Sequence, residues 1–159
     1  MVENFKDVSP EDFDVLIISA PPEEHGDYIR FAIKHKKHFF VEHPVFDDGY
    51  QDIFSAQRSN SKIAMAPSCS MLFYQPIKIM KKILEEGKIG KILGFQYHMG
   101  QYLPDWHPRE DYRQVYFSKK ETGACREMLA FELNWLNWVL DSAPADVSGV
   151  ITKVSDLEM

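Results

Sequence analysis

Between residues 14 and 66, short apolar runs alternate with stretches of helical spacing, and this order restricts the fold more than any other feature of the chain. Asp14-Val-Leu-Ile-Ile-Ser-Ala20 is a continuous apolar run, as expected for a strand buried on both faces of a parallel sheet. Pro21-Pro22 stops it, because proline removes a ladder donor. Residues 23–36 put Tyr28, Ile29, Ala32 and Ile33 on one helical face. His38-Phe-Phe-Val-Glu42 reads as a second strand ended by Pro44, residues 48–60 as a helix, and Lys62-Ile-Ala-Met-Ala66 as a third strand. Upstream, Ser9-Pro10-Glu11-Asp12 has the form of a helix start, with Ser9 as its cap. Strand–helix–strand–helix–strand with short connections predicts an α/β fold with a right-handed parallel sheet.

The pattern changes after Pro67. Residues 75–86 are amphipathic, with Ile77, Met80, Ile83 and Leu84 on one side and Gly87 as the stop. Residues 92–99 and 147–154 read as strands. Residues 123–140 form a long helix with one stripe of Leu129, Leu133, Leu136 and Leu140 and a second of Glu127, Phe131, Trp135 and Trp138, which predicts burial between layers. Two domains follow, at 1–67 and 68–159. Three parallel strands leave exposed edges, and the second part supplies few elements, so both are expected to be portions of something larger.

The run Gly100-Gln-Tyr-Leu-Pro-Asp-Trp-His-Pro-Arg-Glu-Asp-Tyr-Arg113 has no periodicity but is dense in aromatics, acids and bases. Such loops bind ligands, and this mixture suits a polyhydroxylated, anionic one such as a sugar acid or nucleotide sugar. Trp106 is placed to stack on a sugar face, Tyr102, Asp105, His107 and Asp111 to bond hydroxyls, and Arg109, Arg113 and Arg126 to hold a carboxylate or phosphate. Glu127 and Glu132 sit on a helix predicted to be buried, so each needs a partner, with Arg126 or Arg113 the expected one. A structural loop capping a sheet edge is the competing reading.

A net charge of −6 argues against nonspecific nucleic-acid binding, and no apolar run reaches the length of a membrane span. The start is polar and has no signal-peptide pattern, and Cys69 and Cys125 lack framework spacing, which fits a reducing cytoplasm. The His and acid spacings match no standard metal site, so none is expected.

Ala20-Pro-Pro with His25, then Glu42-His43-Pro44, then Gly87-Lys-Ile-Gly90, then Thr122-Gly-Ala heading a long helix resembles, in order and spacing, the glucose–fructose oxidoreductase / inositol dehydrogenase (Gfo/Idh/MocA) family. The resemblance implies the C-terminal half of a Rossmann-type sheet followed by the start of an α/β domain with a mostly antiparallel sheet. It implies NAD or NADP as cofactor, a small carbohydrate as substrate, and pairing of copies through the C-terminal sheet. No G-x-G-x-x-G occurs in the sequence, so the chain is expected to lack the first βαβ unit and to be inactive alone.

By the same resemblance Pro21, Pro22, His25, Glu42 and Pro44 line the cofactor, with Pro44 after a cis bond. His43 stands where the family carries a catalytic Lys. On the long helix, Glu127 and Phe131 stand at the family's Asp and His, and Met71 replaces an Asn. His43 and Glu127 are therefore the catalytic candidates of an NAD(P)-dependent sugar oxidoreductase. The alternative is a relative that keeps the scaffold as a sugar-binding or structural protein without turnover.

Overall fold

The computed structural model describes residues 7–59 and 61–158; Asn60, the expected end of the second helix, lies outside them. The chain divides into two compact units, Met1–Ser68 and Cys69–Met159.

The first unit is a parallel sheet of β1 (Val15–Ile18), β2 (His38–Val41) and β3 (Met65–Pro67), in that spatial order. Leu16 pairs with Phe39 and Ile18 with Val41, while Phe39 also pairs with Met65. The connections are α1 (His25–Lys34) and α2 (Asp47–Arg58). The expected helix start at Ser9 is a three-residue 3-10 turn, capped by Ser9 Oγ accepting from Glu11 N. Ile18, Ile29, Ala32, Phe39, Val41 and Ile53 form one core, so both helices cover the same sheet face. Fully burying a side chain of this size contributes about 1.5–3 kcal/mol. Arg30 ties the two helices by bonding Asp27 and Asp52.

The expectation that β1 is buried on both faces fails. Ile17 is 73% exposed and Val15 54%, and Phe40 on β2 shares their open face. An apolar run signals that a strand can be covered twice. Crossovers that step the same way across a sheet with the same hand put their helices on one side.

The second unit is built on α3 (Gln75–Glu85) and α5 (Ala124–Leu140), with a short α4 (Leu103–Trp106) between them. Gly87 takes φ +65° and ends α3, its N–H donating to Leu84 O at 3.0 Å. Ile77, Trp135 and Val139 form a core with Met71, Leu72, Leu84, Leu136 and Trp138 packed around it. Met80, expected on the buried face of α3, is exposed. The buried stripe of α5 is Glu132, Trp135 and Val139; Leu129, expected to be buried, is exposed. Full burial is confined to that stripe, while Leu136 and Trp138 of the two expected stripes are partly buried.

Residues 103–118 are not an open loop. Leu103, Tyr112 and Phe117 form a small core of their own, joined by Trp106, Val115, Tyr116 and Leu157. Residues 92–99 and 147–154 carry strand-like alternation but no ladder among the described residues. Leu93, Val150, Ile151 and Val154 are each close to nine-tenths exposed. A strand needs a neighbour to bond with, and none pairs with these segments here.

Candidate functional site

Ligands of open α/β sheets bind at the carboxyl ends of the strands. Here those ends carry Ser19–Pro22 after β1 and Glu42–Pro44 after β2. Ser19 Oγ donates to Glu42 Oε2 at 3.0 Å, and Glu42 N donates to Ile18 O at 3.0 Å, so the acid is held against the neighbouring strand. Pro21 and Glu42 are exposed and His43 is half-buried, whereas Pro22, His25 and Pro44 are buried. The His43–Pro44 bond is cis. His25 points inward, its Nδ1 2.9 Å from Pro44 O and its Nε2 2.8 Å from Ala20 O. Burial, and secondarily the charge of His25, push the His43 imidazole below its ordinary range. The shift favours the neutral ring, the form that has a lone pair to accept a proton. A separate open depression of about 680 Å³, lined by Lys36, His38, Ser59 and Lys62, lies at the opposite, amino ends of the strands.

In the second unit the site candidates gather around the first turn of α5. Tyr116 Oη donates to Glu127 Oε1 at 2.9 Å, while Glu127 Oε2 is buried without a hydrogen-bond partner among the described residues. Burial raises the Glu127 carboxyl above the usual carboxylate range, opposed by the Tyr116 bond and by His107. A carboxyl raised this way keeps its proton to higher pH than an exposed one, as a proton carrier requires. His107, Trp106 and Phe117 stack on one another at centroid distances of 5.3–6.0 Å. Part of the Trp106 face expected for a sugar is therefore used by protein. Tyr102, Asp105, His107 and Asp111 are exposed around this stack.

The bonds of Glu127 and Glu132 differ from the expected pairing with arginine. Arg113 Nε donates to Glu158 Oε2 at 2.9 Å and its NH1 to Asp111 Oδ1 at 3.3 Å, and the guanidinium lies over the Tyr112 ring. Arg126 NH1 donates to Glu121 O at 3.1 Å. Among the described residues, the carboxylate partners of Arg113 are Asp111 and Glu158 rather than Glu127 or Glu132. Glu132, 9% exposed, accepts from Trp135 Nε1 and from Tyr97, whose ring packs edge-on against Trp135 at 5.4 Å. Neutral donors replace the expected cations because α5 and its neighbours supply them at the buried stripe. Tyr116, Ser19 and Tyr97 were not singled out from the sequence. Each acts across a long stretch of chain, where no periodic signal marks it.

Residues 1–66 match the model of an oxidoreductase family with an NAD-binding Rossmann fold, and residues 77–158 match the GFO/IDH/MocA C-terminal domain. The chain belongs to the Gfo/Idh/MocA family. Its fold resembles the crystal structure of myo-inositol 2-dehydrogenase from Lactobacillus plantarum, with a TM-score of 0.69 at 17% identity over 88% of this chain and 41% of the other. That identity speaks to the fold alone. It is also 25% identical over 95 residues to an uncharacterised oxidoreductase of Schizosaccharomyces pombe, covering 56% of this Gfo/Idh/MocA chain and 24% of the relative. The chain thus spans well under half the length of these relatives. No helix among the described residues is long and apolar enough to cross a membrane.

Proposed function

We propose that the protein containing this chain is an NAD(P)-dependent oxidoreductase acting on a hydroxyl of a sugar, sugar acid or nucleotide sugar. The reading rests above all on the match of residues 1–66 to an NAD-binding Rossmann fold, on a sheet whose strand ends present Glu42 and His43 together. In this reading residues 1–67 hold the cofactor and residues 68–159 the substrate.

The residues present fit one end of such a cofactor. Pro21, Glu42 and His43 offer an apolar edge, an anchored acid and a titratable ring, which suits the nicotinamide end. The start of α1 does not suit a pyrophosphate, since Glu23, Glu24 and Asp27 surround it with negative charge. A bound NAD(P) supplies the hydride acceptor or donor. The chain's own residues handle the proton: His43, held below its ordinary range, takes it from a substrate hydroxyl at a ring nitrogen. Glu127, steadied through Oε1 by Tyr116, binds a substrate hydroxyl or serves as a second proton carrier. Tyr102, Asp105, His107 and Asp111 bond further hydroxyls.

The test is a titration of the intact protein with NADH and NADPH, followed by nicotinamide fluorescence. Saturable binding is expected, with binding by the 159-residue chain alone far weaker for want of a Gly-rich turn. Absence of binding by the intact protein overturns the proposal.

A further inference from the structure

His25 is the most completely enclosed titratable side chain of the described residues, at 1% exposure, and the proposed chemistry makes no direct use of it. It opens α1 immediately after the Pro22–Glu24 turn and reaches back beneath both strand ends. Its two ring nitrogens lie 2.9 Å from Pro44 O and 2.8 Å from Ala20 O. Both partners are backbone carbonyl oxygens, which only accept. A neutral imidazole has one N–H and one lone pair. In either tautomer one of the two contacts would set a lone pair against a carbonyl oxygen at hydrogen-bond distance. Only the doubly protonated ring donates to both.

We propose that His25 is a buried imidazolium that clips the end of β1 to the turn after β2 and positions Glu42-His43-Pro44 as one rigid ledge. Among the described residues no carboxylate is bonded to the cation; two charge-assisted bonds to carbonyl dipoles offset its burial. Titratable groups with described side chains lie on each segment packed around it. Glu24 and Tyr28 flank it on its own segment, and Glu42 is bonded to Ser19. His43 is the group on which its charge acts, and on α2 Asp52 is engaged by Arg30. His25 is therefore a positioning residue: it is out of reach of ligand, holds the ledge in place and helps keep His43 neutral. The clip stands independently of the cofactor reading; its consequence for His43 as a proton acceptor rests on that reading.

The experiment is nitrogen-15 NMR of the histidine rings in the whole 159-residue chain, without cofactor, at a pH about one unit above the ordinary imidazole midpoint of ~6.5. Both His25 nitrogens are expected to show directly bonded protons, and an unprotonated His25 nitrogen there overturns the proposal. In His25→Gln, which can donate to only part of this arrangement, the His43 midpoint is expected to move up. An unchanged midpoint in a folded variant also overturns it. The wild-type measurement needs no variant, so the question is decided even if His25→Gln does not fold. Failure of NADH binding would leave the clip intact, and a neutral His25 would leave the cofactor reading intact.

Discussion

Gly123, just before α5, is the residue whose replacement tests the second unit most directly. Its backbone is ordinary, with φ −77° and ψ 173°, so conformational freedom is not why glycine is needed. Space is the reason. A Cβ there would collide with Lys119 O and sit 2.6 Å from Phe117 O and 3.1 Å from Phe117 C. The obstructing atoms are backbone, in a turn pinned by Phe117 in its core and by Thr122 Oγ1 donating to Tyr116 O at 2.7 Å. They cannot rotate away, so the turn or the helix start must move by several tenths of an ångström. Such overpacking costs about 1–3 kcal/mol. The stiffer unfolded chain of alanine offsets about 0.4–1 kcal/mol of that. Gly123→Ala is therefore expected to lose about 1–2 kcal/mol, roughly a 5–30-fold fall in the folding constant. Trp106, Trp135 and Trp138 are all in this unit, so tryptophan fluorescence during urea unfolding reports it. The shift should also loosen the Tyr116–Glu127 bond and let the Glu127 carboxyl rise further. A variant as stable as the parent, or more so, would refute the steric reasoning.

Glu127→Gln removes a carboxyl whose folded value lies above its unfolded one. Its protonated form favours the fold, a contribution complete below the unfolded value of about 4.3 and lost as pH rises through the folded value. The variant should therefore gain stability relative to the parent between acid and neutral pH, read by urea midpoints; a pH-independent gap would contradict this. His43 has the opposite sign: its stability contribution is present above about pH 6.5 and lost as pH falls through the depressed folded value. His43→Gln should flatten that acid-side loss, as followed by circular dichroism melts in steps from neutral to weakly acid pH. Ile29 of α1, fully enclosed against the sheet, should cost about 2–5 kcal/mol when cut to alanine, seen in circular dichroism melts.

Much of the first unit could be read from residue order. Alternating apolar runs, the Pro21-Pro22 stop and helical spacing placed β1, β2, α1 and α2 within a few residues, because hydrophobic period and proline chemistry are local properties. Gly87 and the helix before it were equally legible. The strands expected at 92–99 and 147–154 were not, since alternation only prepares a segment for pairing and the partner must come from elsewhere. Motif order also pointed to the family, and His43 and Glu127 to its chemistry, without indicating what surrounds either side chain.

The amino-acid order on its own thus determined the α/β class, the family and the residue types available at the strand ends. Tertiary structure alone decided which acids are held by which donors: Tyr116 on Glu127, Trp135 on Glu132, Ser19 on Glu42 and Arg113 on Glu158. It also turned His25 inward to two carbonyls and left one face of the sheet open. The physical reason is range. Helical and strand periods are set by neighbours along the chain, whereas a buried polar group is satisfied by whichever donor packing brings within about 3 Å, at any distance in sequence.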